Sequence, residues 1–62
     1  MHPVAELALE WWRALPADRR TEAELLLEVN ILADSYGLSA ELRREVRRQA
    51  LVEAYWEGRV DA

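Results

Sequence analysis

The sequence predicts an all-α fold: a helical hairpin over about residues 21–36 and 40–57, with an N-terminal helix over about 4–15 packed across it. The whole chain, 1–62, reads as a single helical domain. Three observations lead there. Apolar residues recur at helical spacings in each of three segments. Each segment carries its own punctuation, with Pro3, Thr21 and Ser39 at the starts and Pro16, Gly37 and Gly58 at the stops. The link Gly37-Leu38-Ser39 is short enough to force the second and third helices into a hairpin.

The first helix begins near Pro3, whose missing N–H costs nothing in a first turn. At 100° per residue, Val4, Leu7, Ala8, Trp11, Ala14 and Leu15 share one face, and Ala5, Leu9 and Trp12 widen it. Only Glu6, Glu10 and Arg13 are left for water, so this helix is more apolar than the surface helix of an isolated bundle. Trp11 and Trp12 diverge by about 100° around the axis, so one indole enters the core and the other meets something else. Trp12 and Leu9 are the expected outward pair.

Pro16 stops that helix by disfavouring the helical conformation at Leu15. Thr21 opens the central helix three residues ahead of Glu24, the capping-box spacing, and Glu22 adds negative charge at the positive end of the dipole. Leu25, Val29, Leu32 and Tyr36 form its core stripe, broadened by Leu26 and Ala33. Leu27 and Ile31 lie roughly opposite, flanked by Glu24, Glu28 and Asp34, and read as a second contact surface. Gly37 supplies the left-handed stop.

Ser39 caps the third helix. Leu42, Val46, Gln49, Ala50 and Trp56 are its expected inner face, with Leu38 folding back from the turn. The opposite face carries Arg43, Arg44, Arg47 and Arg48, continued by Leu51 and Tyr55. Residues 59–62 read as a frayed end.

Composition narrows the function. A chain of 62 residues hides only about 60% of its unfolded surface, and the per-residue rule gives it roughly 3–9 kcal/mol of stability. There is no cysteine to staple it, so oligomerisation is expected on size alone. Absence of cysteine, of a long apolar run and of a cationic leader makes a cytoplasmic protein the expectation. Scarce Asn, Gln, Met and Cys fit a heat-adapted protein, whereas the absence of lysine runs against the usual hyperthermophile pattern and fits codon bias.

The net charge of −4 opposes a role in coating nucleic acid. Its distribution is more informative than its total. Residues 1–20 balance, as do 37–62, so the excess sits on Glu22, Glu24, Glu28 and Asp34 of the central helix.

The arginine cluster RREVRR has two readings. Arg43/Arg47 and Arg44/Arg48 are like-charge pairs in the first half of a helix, where the dipole disfavours cations, so anions should stand opposite. Carboxylates are the first source, with Arg44 and Arg48 expected to face Glu24 and Glu28 within a subunit or across a dimer, and with Glu41 and Glu45 placed to screen Arg44 and Arg48 at i, i+3 spacing. Nucleic-acid phosphate is the alternative, contacted by Arg43, Arg44, Arg47 and Arg48. Leu32, Ala33, Tyr36, Gly37, Leu38 and Val46 match a helix-turn-helix pattern, which breaks at Arg43, where an apolar residue should turn inward.

Enzymatic readings fare worse. Ser35, Ser39 and Thr21 are the hydroxyls on offer, two of them placed as caps, and the single histidine, His2, reads as a solvated terminal residue. A dinuclear carboxylate site wants Glu-x-x-His, which is absent. The expectation is no catalytic residue, no metal and no cofactor. Glu53 stands out because it projects onto the inner face of the third helix, where it is paired with an arginine or lies at the rim. Binding to a membrane surface through the first helix is opposed by its polar face, two glutamates against one arginine.

The C-terminal string ALVEAYWEGRVDA, about a fifth of the chain, is similar to the segment that precedes the DNA-binding part of some small prokaryotic antitoxin-like proteins. Tyr55, Gly58 and Arg59 carry the resemblance, and no helix-turn-helix follows. It implies an antitoxin-like regulator as an alternative. The reading favoured by the residues is a self-associating interaction or regulatory module, a homodimer or small homo-oligomer that builds a larger helical bundle, with room for a different protein partner. Its expected interface is Leu9, Trp12, Leu27 and Ile31.

Overall fold

The computed structural model describes residues 1–58 and Val60. Three α-helices pack together: α1 (Pro3–Arg13), α2 (Glu22–Ser35) and α3 (Ala40–Trp56), with one turn of 3-10 helix at Ala17–Arg19 between the first two. Each helix touches both others. The radius of gyration, 10.7 Å, matches the roughly 10.6 Å expected of a compact chain of this length.

Local chemistry explains the boundaries. α1 is capped by His2, whose Nδ1 accepts from the Val4 N–H at 3.1 Å while its own backbone N–H donates to Gln49 Oε1 at 2.8 Å. His2 is thus a half-buried structural cap, not the solvated terminal residue expected. The helix stops at Arg13, two residues early, because Leu15 precedes proline. The Ala14 and Leu15 N–H groups turn back to the carbonyls of Trp11 and Trp12 at 3.2 and 3.1 Å.

α2 starts as its sequence requires: Thr21 Oγ1 accepts from the Glu24 N–H at 3.2 Å. It ends in a Schellman motif, with Leu38 N–H donating to the Ala33 carbonyl at 3.0 Å and Gly37 N–H to Asp34 at 3.2 Å. Gly37 sits at φ +66°, where an L side chain is strained. Ser39 then caps α3 through the Leu42 N–H at 3.1 Å.

The core is one large side chain set among small ones. Of eleven buried apolar residues five are alanines, and Trp12 is the sole aromatic, so the fit around its indole dominates the interior. Its Nε1 donates to the Thr21 carbonyl at 2.9 Å, which satisfies the ring's one polar atom. Val4, Ala5, Ala8 and Leu9 from α1, Leu25 and Val29 from α2, and Val46, Ala50 and Ala54 from α3 complete the cluster.

Several expected core positions are corrected. On α1 the inner stripe is Val4-Ala5-Ala8-Leu9-Trp12, so Leu7 and Trp11 turn outward. Tyr36 is exposed because it is the C-cap residue of α2, past the last packed turn. On α3 the buried repeat Val46, Ala50, Ala54 leaves Trp56 about 200° from Ala54, and Trp56 is 85% exposed. Leu42 is also exposed, whereas Leu51, expected outward, packs against the core. Val60, assigned to a frayed end, packs there too. Arg59, Asp61 and Ala62 lie outside the described residues, and with Arg59 one part of the antitoxin-like resemblance.

The adjacent tryptophans give a direct test of this register. Trp12→Ala should cost about 3–5 kcal/mol, enough to bring a chain with so narrow a margin to the edge of unfolding. Trp11→Ala should cost less than half as much by urea titration at high dilution. Equal losses would show that the two indoles are not divided between core and surface.

Candidate interaction surface

The outer side of α2 carries the apolar surface left over by the core. Leu25, Val29 and Ala33 are buried beneath it, and Leu27 and Ile31 stand opposite, 56% and 49% exposed. They occupy consecutive turns, so they form one ridge. Glu24 and Glu28 border it. On α1, Leu7 and Trp11 repeat the same spacing and are 43% and 40% exposed. On α3, Val52, Tyr55 and Trp56 are exposed near the C-terminal end.

Two of the expected interface residues lie elsewhere. Leu9 and Trp12 are inside the subunit, at 1% and 0% exposure, and offer nothing to a second molecule. The physical reason is that α1 has apolar residues around most of its circumference, so helical spacing does not select a face. Trp12 is selected because its N–H finds an acceptor at Thr21. Trp11 takes the outward role in its place.

The arginines are also distributed differently from expectation. Arg43 donates to Asp34 Oδ1 at 2.5 Å across the hairpin turn, so the position that breaks the helix-turn-helix pattern serves as a tie between α2 and α3. Arg48 pairs with Glu45 one turn away on its own helix, as the i, i+3 spacing predicts, and not with Glu24 or Glu28. Glu24 instead meets Arg19 at 3.5 Å. Among the described residues, Arg44, Arg47 and Glu28 have no ion-pair partner. The intrasubunit pairing of Arg44 and Arg48 with Glu24 and Glu28 is therefore not formed.

Two longer-range contacts had no sequence signal beyond the charge of their members. Arg13 at the end of α1 makes a two-pronged hydrogen-bonded ion pair with Glu57 at the end of α3. That bond pushes the Arg13 pKa above its ordinary value, against the opposing effect of partial burial, and Glu53 adds to the favourable field. Tyr55 donates its hydroxyl to Glu22 Oε2 at 2.5 Å, and the carboxylate that accepts this proton raises the phenol pKa.

An open cleft of about 370 Å³ is lined by Met1, Glu6, Leu9, Glu10, Arg13 and Glu53. Three carboxylates and one guanidinium lie among its lining residues. No group of three or more His, Cys, Asp or Glu among the described residues is arranged to hold a metal ion. Thr21 and Ser39 are engaged as caps, and so is His2. No helix among the described residues is long and apolar enough to cross a membrane.

No protein-family model, curated protein or solved structure matches the chain.

The Glu45–Arg48 pair can be checked directly. The hydrogen bond from Arg48 holds the Glu45 carboxyl below its ordinary value, outweighing a small desolvation effect. A depressed folded pKa stabilises above the unfolded value and is lost as pH falls through the folded one, and solvent screening at this surface position keeps that contribution small. In a carboxyl NMR titration Glu45 should have a midpoint below the ordinary glutamate value, and Arg48→Ala should move it back up. An unmoved midpoint would mean that the pair is not populated in solution.

Proposed function

We propose that this protein is a non-enzymatic helical module that works by protein–protein contact and associates with copies of itself, as a homodimer or small homo-oligomer. The observation that carries the reading is the Leu27/Ile31 ridge, about half exposed on the side of α2 away from the core. Single exposed apolar residues are ordinary, but a ridge of two aliphatic side chains matched by Leu7 and Trp11 on the neighbouring helix is a candidate contact surface. The short chain adds weight, since association contributes the stability that 62 residues supply sparingly. We place the module in the cytoplasm, in keeping with its lack of cysteine.

A second reading keeps one specific support. Arg44 and Arg47 have no ion-pair partner among the described residues and would be available to phosphate, as an antitoxin-like or other DNA-binding regulator requires. Against it stand the net charge of −4 and the engagement of Arg43 and Arg48 by carboxylates.

Sedimentation equilibrium from micromolar to near-millimolar protein tests the first reading. The expected result is a mass of at least twice 7.2 kDa, reverting to 7.2 kDa in Leu27→Asp/Ile31→Asp with helicity retained. A wild-type chain that stays at 7.2 kDa throughout would overturn it. Fluorescence anisotropy with duplex DNA tests the second. Binding that weakens steeply with salt and disappears when Arg43, Arg44, Arg47 and Arg48 become alanine would put nucleic acid first.

A further inference from the structure

We infer that two copies meet across a two-fold axis at the level of Val29, their α2 helices antiparallel, so that Leu27 of each packs on Ile31 of the other and Arg19 of each reaches Asp34 of the other. The inference rests on the self-association proposed above and gives its geometry. At 100° per residue, Glu24, Leu27, Ile31 and Asp34 lie within an arc of about 80° on α2, opposite buried Val29. Their order is acid, aliphatic, aliphatic, acid, and it reads the same from either end. A two-fold contact joins one patch to itself, so it needs a surface of that kind. In the antiparallel arrangement residue 27 faces residue 31 and residue 24 faces residue 34, which sets aliphatic against aliphatic at the centre.

Charge at the two ends of the ridge selects a second copy in this direction. Each end carries an ion pair already made within the subunit, Arg19 with Glu24 before Leu27 and Arg43 with Asp34 after Ile31. In each pair one member is mostly covered and the other is in water. At the first end the exposed member is the cation, Arg19 at 57% against 30% for Glu24; at the second it is the anion, Asp34 at 69% against 29% for Arg43. The antiparallel two-fold brings the first end of one copy to the second end of the other, so exposed cation meets exposed anion twice and each end gathers two carboxylates with two guanidiniums. A parallel pair would set Arg19 beside Arg19 and Asp34 beside Asp34, which is unfavourable at an interface. Glu28, without an ion-pair partner among the described residues, lies about 80° from the centre of the arc, at a rim where solvent screens it.

Arg19→Glu and Asp34→Lys test the pairing. Each variant alone should raise the dissociation constant by about tenfold or more in sedimentation experiments, because each end of its dimer then holds three like charges against one. Mixed in equal amounts, the two should associate at near wild-type strength, and so should the double variant Arg19→Glu/Asp34→Lys, since both restore two charges of each sign at each end. Recovery in the mixture also separates loss of contact from loss of fold. The register is read by oxidation, for which a chain without cysteine is suited. In an antiparallel pair about 9 Å apart, the Cα atoms of residues 27 and 31 of opposite copies lie about 5 Å apart and the two Cα atoms of residue 27 about 8 Å, so only the first pair is within disulfide reach. An equal mixture of Leu27→Cys and Ile31→Cys should therefore give more cross-linked heterodimer than either homodimer. A wild-type chain that associates while both charge variants do so equally well, or while homodimeric cross-links predominate or none form, would refute the antiparallel contact and leave self-association standing. Loss in both charge variants without recovery in the mixture would also refute it. A monomeric wild type would remove both.

Discussion

The hydrogen bond from the Trp12 indole to the Thr21 carbonyl sets the relation between α1 and the hairpin. Thr21 is the N-cap of α2, and its carbonyl also accepts the first helical bond from Leu25 at 3.2 Å. One peptide group thus anchors both the start of a helix and the largest side chain of the core. Because the other buried residues are alanine, valine and leucine, no second aromatic could take over if the indole were displaced. With the His2–Gln49 and Arg13–Glu57 contacts at its two ends, that anchor orients α1 and with it which side chains are turned outward.

The remaining surface depends on how charges are used up inside the subunit. Asp34 with Arg43 ties the hairpin turn, Glu57 with Arg13 ties the two helix ends, and Glu45 screens Arg48 locally. The second and third of these pairs differ in reach, Arg13 and Glu57 being 44 residues apart and Glu45 and Arg48 three, and all lie at the surface, where ion pairs add geometric definition more than stability. They leave an imbalance along the bundle, negative on one helix and positive on another, without altering the net charge. A small protein with a narrow stability margin that retains such an imbalance is under little internal pressure to neutralise it.

Much of the architecture was legible in the residues because it is written by local chemistry. The capping oxygens of Thr21 and Ser39, the left-handed Gly37 and the three-residue turn act over a few positions and were read without reference to the rest of the chain. The Leu27/Ile31 ridge was legible as well, since α2 has a clear polar border. The face of α1 was not. Nine apolar residues over twelve positions describe a band, not a stripe, and only a partner for the indole N–H distinguishes Trp12 from Trp11. Trp56 was misplaced for a related reason, because an inner face continued past Ala54 treats any large apolar residue as a core residue. The i, i+3 pairing of Arg48 with Glu45 is local and legible, whereas the destinations of Arg13 and Arg43 depend on which helix ends are neighbours, which periodicity does not reveal.

The three tryptophans end up in three different media: Trp12 in the dry interior, Trp11 partly covered and Trp56 almost wholly in water. An indole emits at shorter wavelength as its surroundings become less polar, so the chain carries an internal spectral ruler that needs no attached dye. Replacing tryptophans two at a time with phenylalanine would leave reporters for separate events, the innermost for unfolding and the outer two for whatever docks on α1 or α3.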